Sequence, residues 1–223
     1  MRLLDWLLDL IYPPKCVFCG GLLHSGETDL CGKCRHSLPN FDGSVKRGKY
    51  YRQCWPVYTY EGAVVESIHR FKFGGMQQYA AAYGRLIAAM LLRCRVEFDV
   101  LTWVPISANR RRKRGYDQSW LIAKTVAGEL KVPCVRTLEK HLDNKPQSRL
   151  KDAASRQANV RSAYRSVSPE NFAGKRVLLI DDIITTGATL SECSKVLRIA
   201  GADEVECAVL AAAMLREKER NSR

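Results

Sequence analysis

The chain has 223 residues, of which 46% are hydrophobic, so it can bury a substantial core and is not a disordered polypeptide. Lys and Arg number 36 against 23 Asp and Glu, which gives a formal net charge of +13. This excess predicts attraction to polyanions, whether phosphorylated small molecules, nucleic acid or an anionic membrane surface, and does not distinguish among them.

The N-terminal segment, residues 1–14, is apolar but short. Asp5 and Asp9 interrupt it, and no small-residue cleavage site follows it. Because a membrane-spanning helix needs about 20 apolar residues, we predict neither a transmembrane segment nor a signal peptide. We expect an amphipathic helix packed on its own protein, with a helix that contacts a membrane surface or a partner as the alternative. The chain is therefore predicted to be cytoplasmic.

Two C-x-x-C pairs follow this segment, and eleven residues separate them. Their members are Cys16, Cys19, Cys31 and Cys34. A two-residue spacer lets both thiolates of a pair bind one ion, and two such pairs complete a tetrahedral Zn²⁺ site. A disulfide pair and a redox-active C-x-x-C are the alternatives. We favour structural zinc, because four thiolates leave no open coordination position for chemistry.

The composition of the chain changes near residue 60. We predict an N-terminal helix and four-cysteine zinc ribbon over residues 1–60 and a second domain over residues 61–223. In the second domain, helical periodicity alternates with apolar, strand-like runs. The helices are predicted over 63–75, 79–96, 119–131 and 189–202, and the strands over 99–106, 132–138, 175–181 and 204–213. This alternation predicts an α/β fold with a mainly parallel sheet flanked by helices.

Residues 139–172 interrupt this alternation. They are polar, basic and weakly periodic, and a segment of that length inside a domain is usually functional or disordered. We predict that they form a lid.

The most informative stretch is V-L-L-I-D-D-I-I-T-T-G-A-T-L, residues 177–190. An apolar run predicts a buried strand, and two carboxylates and a turn into a helix follow it. The residues concerned are Asp181, Asp182, Thr185, Thr186, Gly187, Ala188 and Thr189. Ligands bind beyond the carboxyl ends of parallel strands, and the start of a helix attracts phosphate. The carboxylates would repel that phosphate but suit vicinal hydroxyls, so the stretch predicts a ribose 5-phosphate site.

Simpler interpretations of the carboxylates remain open. The Asp-Asp pair could bind Mg²⁺ alone or cap the following turn. The chain contains neither the G-x-x-x-x-G-K-[ST] motif of a Walker A loop nor the G-x-G-x-x-G of a dinucleotide fold.

A basic run follows the first strand predicted in the second domain. It comprises Arg110, Arg111, Arg112, Lys113 and Arg114. Five consecutive basic residues are more than one pyrophosphate needs. A solvated helix face is the simplest interpretation, while contact with pyrophosphate and contact with nucleic acid are functional ones that do not exclude each other.

Residues 177–190 resemble the phosphoribosyl pyrophosphate (PRPP) motif of type I phosphoribosyltransferases. The resemblance implies that Asp181 and Asp182 bind the ribose 2- and 3-hydroxyls, that residues 185–189 bind the 5-phosphate, and that Mg²⁺ sits mostly on the ligand and water. The family's pyrophosphate loop would fall on Pro105, Ile106 and Ser107. Its mobile loop would fall within 147–164, where Arg149 and Arg156 are the lid candidates.

Nearly the whole chain resembles the competence protein F (ComF/GntX) family. The matching parts follow the family's order and include the Leu-rich start, both C-x-x-C pairs, H-R-F-K-F-G-G, R-R-R-K-R-G-Y-D-Q-S and the PRPP motif. One departure is Asp117, where the family pattern has Asn, and it weakens any hydrogen-bond donor assigned there. The resemblance implies a zinc ribbon fused to a type I phosphoribosyltransferase domain. It also implies a role in natural transformation or DNA uptake, beside a helicase-like ATPase.

Two functions are consistent with these features. The first is an enzyme that transfers phosphoribosyl from PRPP to an unidentified acceptor and releases pyrophosphate. The second is a non-catalytic adaptor that senses PRPP or a nucleotide and binds single-stranded DNA and a helicase-like partner. The acceptor pocket has no recognisable signature, which weakens the first, whereas DNA binding alone would not require the complete PRPP motif, which weakens the second.

Overall fold

The computed structural model of the protein describes residues 13–46, 48–142 and 163–214. In these ranges the helices, numbered α1 to α6, are Gly32–Ser37, Gly62–Phe73, Tyr79–Arg93, Ala108–Arg114, Gln118–Leu130 and Ala188–Ile199. The strands, numbered β1 to β6, are Cys54–Thr59, Val100–Trp103, Leu138–Lys140, Tyr164–Ser166, Arg176–Ile184 and Glu204–Ala212. A 3-10 helix covers Pro169–Asn171. The predicted N-terminal helix lies outside the described residues except for positions 13 and 14.

Four strands form the central sheet in the order β1-β6-β5-β2, and every neighbouring pair is parallel. In the register of this sheet, Leu179 of β5 lies opposite Thr102 of β2 and Cys207 of β6. Parallel neighbours need crossover connections, which the intervening helices provide. The predicted α/β fold with a mainly parallel sheet flanked by helices is therefore confirmed.

Both faces of the sheet are buried. Successive residues of a strand point to opposite faces, and Leu178 and Ile180 of β5 join a cluster that contains side chains from α2, α3 and α5. Val177 and Leu179 join the cluster on the other face, which contains side chains from α6. All four side chains are fully buried, so β5 is the central strand of the core.

The strand β1 was not predicted from the sequence. Residues Cys54–Thr59 pair with β6 along one edge of the main sheet, although they precede residue 60. The run contains Pro56, and proline is tolerated in an edge strand because one side of its backbone needs no ladder hydrogen bond. This proline hid the strand among the Cys-, Gly- and Pro-rich residues before it.

The strand predicted over 132–138 is wrong in most of its length. Lys131 adopts a left-handed conformation where α5 ends, and Pro133 follows, so the chain turns there. Cys134 forms an isolated bridge opposite Leu101, and Leu138 is the one residue of this range that belongs to a strand, β3. The strand that follows, β3, pairs with β4 in a separate antiparallel ladder. These two strands lie at the ends of the predicted lid, and its middle, residues 143–162, lies outside the described residues.

The contact between α3 and α5 requires a glycine at position 84. A Cβ atom there would lie 2.4 Å from Thr125 Cβ and 3.1 Å from the carbonyl oxygen of Ile122. We expect Gly84→Ala to lower the free energy of unfolding by about 1–3 kcal/mol, because the two helices must separate. Urea denaturation of the purified protein measures this change.

Gly128→Ala is the matched control. Gly128 lies on the exposed side of α5, and an added Cβ would meet no atom within 4 Å. This variant should be more stable than wild type by about 0.5–1 kcal/mol, because alanine favours the helix. Equal stability of the two variants would contradict the close approach of α3 and α5.

Candidate functional site

The four cysteines predicted to bind a metal come together in the structure. Their Sγ atoms all lie within 4.8 Å of one another, and the Sγ atoms of Cys19 and Cys31 are 3.7 Å apart. A tetrahedral Zn²⁺ ion with Zn–S bonds of about 2.3 Å would hold its sulfurs about 3.8 Å apart. Backbone N–H groups of Gly21 and Cys34 point at two of these sulfurs. The arrangement fits a structural zinc ion bound by four thiolates.

The segment that carries the first cysteine pair is docked in the main core. Cys16 and Phe18 are fully buried, and the ring of Phe18 packs edge-on against Tyr58 of β1 with centroids 5.2 Å apart. Arg85 of α3 makes two hydrogen bonds to the carboxylate of Asp29, at 2.6 and 2.7 Å. The cysteine cluster is thus packed directly against the α/β domain.

The carboxylates of Asp181 and Asp182 lie in the last part of β5, beyond the point where β2 ends. The last residue pair between these strands is Trp103 with Ile180, and Asp181 comes next. Ser119 Oγ, at the start of α5, donates to Asp181 Oδ1 at 2.8 Å. The N–H of Asp182 donates to the same oxygen at 2.9 Å. Asp181 is half-buried and hydrogen-bonded on the side of α5.

Asp182 is held by a lysine that the sequence analysis did not assign. Lys72 Nζ, near the end of α2, lies 2.8 Å from Asp182 Oδ2. The side chains of Lys72 and Asp182 are only 17% and 9% exposed, so water screens this ion pair weakly. The H-R-F-K-F-G-G run identified the segment, but nothing in its pattern indicated which side chain would reach the carboxylates.

The burial of Asp181 and the charge of its neighbour Asp182 alter the ionisation of Asp181. Burial and then the charge of Asp182 raise the pKa of Asp181 to about 7, although Lys72 and Ser119 act in the opposite direction. A proton therefore resides on Asp181 in slightly acidic solution. Perturbed carboxylates of this kind are more frequent at functional sites than elsewhere.

Asp117 holds the loop after β2 beside the start of α5, the helix that also carries Ser119. Its carboxylate accepts hydrogen bonds from the N–H groups of Ile106 and Trp120, at 3.3 and 3.2 Å, and so caps α5. Burial raises the pKa of Asp117. Because both of these partners are donors, the position needs an acceptor, and the departure from the family's asparagine is compatible with this geometry. Ser107 is buried and caps α4 through the N–H of Arg110.

The turn after β5 leads directly into α6. Gly187 caps this helix with a positive φ of 78°, a conformation that glycine adopts without strain. Thr186 Oγ1 accepts a hydrogen bond from the N–H of Ala188 at 3.4 Å, and Thr189 lies in the first turn of the helix. The predicted phosphate residues therefore occupy a helix N-terminus immediately beyond the two carboxylates.

The basic run forms α4, between Ser107 and a left-handed Gly115. Arg111, Arg112 and Lys113 are exposed, whereas Arg110 and Arg114 are partly buried. The Arg114 guanidinium lies 5.0 Å from the centroid of the Phe73 ring. Burial lowers the pKa of Arg114, and the charge of Asp182 opposes that effect. The run thus has an outer, solvated face and an end near the carboxylates.

The structure therefore brings together the two carboxylates in the last part of β5, the turn after β5, the loop after β2 and the basic run. Side chains of α5 and α2 hold the carboxylates in place. Arg149 and Arg156 lie outside the described residues. Lys72 and Ser119 were missed, because their contacts cross between elements that are distant in sequence.

Within the described part of the chain, no helix has both the length and the apolar composition that a membrane-spanning segment needs.

Comparison with family models identifies two domains. The phosphoribosyl transferase domain model matches residues 117–222, and the double zinc ribbon domain model matches residues 7–45. The second match agrees with the four-cysteine cluster and supports zinc as its metal. The first match covers α5, residues 177–190 and β6, so the predicted type I phosphoribosyltransferase fold is confirmed.

Curated relatives match most of the chain. Competence protein F of Haemophilus influenzae is 28% identical over 86% of this chain and 94% of its own length. DNA utilization protein YhgH of Escherichia coli K12 is 26% identical over 79% of this chain and 74% of its own length. Competence protein ComFC of Bacillus subtilis is 30% identical over 66% of this chain and 58% of its own length. The chain is a homologue of the competence protein F, ComFC and YhgH proteins and joins a double zinc ribbon to a phosphoribosyl transferase domain.

Proposed function

We propose that the chain binds PRPP and transfers its phosphoribosyl group to an unidentified acceptor. The observation that carries the proposal is the placement of Asp181 and Asp182 directly before the Gly187 cap of α6. Carboxylates accept hydrogen bonds from the ribose 2- and 3-hydroxyls, and the helix N-terminus holds the 5-phosphate. The loop with Pro105, Ile106 and Ser107 would then face the pyrophosphate.

In the proposed reaction, the bond between ribose C1 and the pyrophosphate oxygen breaks, and pyrophosphate leaves with the electron pair. A lone pair of the acceptor forms the new bond to C1, and the acceptor's proton passes to a base. Mg²⁺, when bound with PRPP, would neutralise charge on the pyrophosphate. The chain's own contribution is to fix the ribose and to stabilise the leaving group with basic side chains.

A second candidate function is contact with single-stranded DNA. Arg111, Arg112 and Lys113 are exposed on α4, and Phe73 and Trp120 are 61% and 37% exposed on neighbouring elements. Exposed cations bind backbone phosphates, and exposed aromatic rings stack with unpaired bases. The names of the relatives, competence protein F and DNA utilization protein YhgH, also support a role in natural competence or DNA use. The family resemblance adds a helicase-like ATPase as a proposed partner and the cytoplasm as the proposed location.

Replacing both carboxylates tests PRPP binding. In Asp181→Asn with Asp182→Asn, we expect affinity for PRPP and Mg²⁺ to fall by about 10²-fold or more, because two charge-assisted contacts to the ribose are lost. Isothermal titration of the zinc-loaded protein measures the affinity. DNA binding should persist or strengthen in this variant, because two negative charges are removed.

Asp203→Asn is the control for that titration. Asp203 is exposed and precedes β6 at the opposite end of the sheet, so its variant should bind PRPP like wild type. Undiminished binding by the double variant would refute the assignment of the carboxylates. Pyrophosphate release in an acceptor screen then separates an enzyme from a sensor.

Neutralising the outer face of α4 tests DNA contact. In Arg111→Gln with Arg112→Gln and Lys113→Gln, the slope of log affinity for single-stranded DNA against log salt concentration should become shallower by about 2, at ~0.7 per phosphate contact. Fluorescence anisotropy at several salt concentrations measures the slope. A Lys131→Gln and Lys175→Gln variant, altered at two other exposed lysines, serves as a charge control. An unchanged slope in the α4 variant would exclude the outer face of α4 as a contact surface for single-stranded DNA.

The raised pKa of Asp181 predicts a pH effect on stability without ligand. Its folded pKa of about 7 exceeds the unfolded value of about 3.9, so the folded chain retains a proton that the unfolded chain loses. That contribution is fully present below about pH 4, falls as the pH rises, and is lost once the pH passes 7. Wild type should therefore lose stability relative to Asp181→Asn between about pH 4 and 7. Urea denaturation of both proteins at several pH values measures the difference, and a constant difference would contradict the raised pKa.

A further inference from the structure

Three consecutive residues of α2 connect the cysteine cluster with the carboxylate pair. Arg70 Nη2 donates to the carbonyl oxygens of Val17, at 3.3 Å, and of Phe18. Lys72 Nζ lies 2.8 Å from Asp182 Oδ2. Residues two apart in an α-helix project about 200° apart around its axis. Arg70 and Lys72 therefore extend from nearly opposite sides of α2, Arg70 toward the cysteine cluster and Lys72 toward the carboxylate pair.

The residue between them anchors the helix in the core. Phe71 is fully buried, and its ring packs against Tyr83 with centroids 5.1 Å apart and against Tyr116 at 5.7 Å. The hydroxyl of Tyr116 donates to the carbonyl oxygen of Phe71. A rotation or shift of α2 would disturb these contacts together, so Arg70 and Lys72 cannot move independently of each other.

The cysteine end of this connection depends on the metal. Val17 and Phe18 are the two residues between Cys16 and Cys19, so their carbonyl groups are positioned by the chelate turn. Buried Ser67, one turn earlier in α2, also donates to the carbonyl oxygen of Val17 and hydrogen-bonds Tyr83. Two side chains of α2 thus bind a turn whose shape zinc determines.

The carboxylate end is sensitive to small displacements. The Lys72–Asp182 pair is largely buried, and breaking a buried pair leaves a charge that neither water nor protein compensates. A shift of about 1 Å in α2 would lengthen the 2.8 Å contact beyond hydrogen-bonding range. The position of Asp182 thus depends on where α2 lies.

We propose that α2 couples zinc to PRPP, with Lys72 as a positioning residue for Asp182 and Arg70 as the link to the zinc-binding turn. This inference rests on the proposed PRPP site. Zinc then strengthens PRPP binding, and by thermodynamic reciprocity PRPP strengthens zinc binding by the same factor.

The test compares two arginines that both bind the ribbon. Arg70→Met removes the bonds from α2, whereas Arg85→Met removes the pair with Asp29 from α3. In zinc-loaded proteins, Arg70→Met should lower PRPP affinity about 10-fold, within the usual range of coupling energies, and Arg85→Met should change it less than about 2-fold. Arg70→Lys, which keeps a donor, should recover part of the loss. Equal effects of the two methionine variants would overturn the proposal.

The reciprocal measurement is the zinc affinity, determined by equilibrium competition with a chromophoric chelator. Saturating PRPP with Mg²⁺ should raise the zinc affinity of wild type about 10-fold and that of Arg70→Met or Lys72→Met less than about 2-fold. A zinc affinity of wild type that PRPP does not alter would refute the coupling, because reciprocity is a thermodynamic requirement.

Hydrogen exchange of the ligand-free proteins separates this inference from the proposed function. Zinc-loaded Arg70→Met should lose amide protection in residues 69–74 and 181–187 relative to wild type and Arg85→Met. If wild type binds no PRPP, the proposed function fails, and exchange then decides whether α2 links the zinc-binding turn to the carboxylates. Loss of protection confined to residues 13–46 would show that α2 does not couple the zinc-binding turn to the carboxylates.

Discussion

The ion pair between Lys72 and Asp182 is the interaction on which the candidate site depends. Two adjacent carboxylates at the end of a buried strand repel each other, and burial favours the neutral form of Asp181. The lysine balances one charge, and the hydroxyl of Ser119 binds the other carboxylate. Because these partners come from α2 and α5, the site exists only when both helices are packed on the sheet.

The cysteine cluster is packed in the same core as the helices that hold the carboxylates. Cys16, Phe18 and Cys34 lie in the cluster of buried side chains that also contains Phe71 and Tyr83. A small ribbon has too few apolar side chains to form a stable core alone, and metal and external packing compensate for this. The ribbon is therefore a layer of the α/β domain as well as a metal-binding unit.

The sequence was informative where chemistry and periodicity are local. The strand–carboxylate–turn–helix order of residues 177–190 and the two C-x-x-C pairs predicted the central strand, the start of α6 and the convergence of four sulfurs. It was uninformative where a contact joins distant segments. Lys72 is 110 positions from Asp182 in the chain, and no local pattern marks that pairing. The β1 strand was hidden by Pro56, which is compatible with an edge strand.

The edge position of β1 also has a consequence for the order of folding. β1 pairs only with β6 in the main sheet, and Trp55 donates to Glu206, 151 residues further along the chain. During synthesis the N-terminal third of the chain is complete long before its partner strand leaves the ribosome. Closing so long a loop is slow. The nascent β1 must therefore wait for β6, whereas Tyr58, Arg70 and Arg85, which contact the ribbon, follow it closely in the chain. Early metal binding would thus let the ribbon dock on α2 and α3 before the sheet is complete.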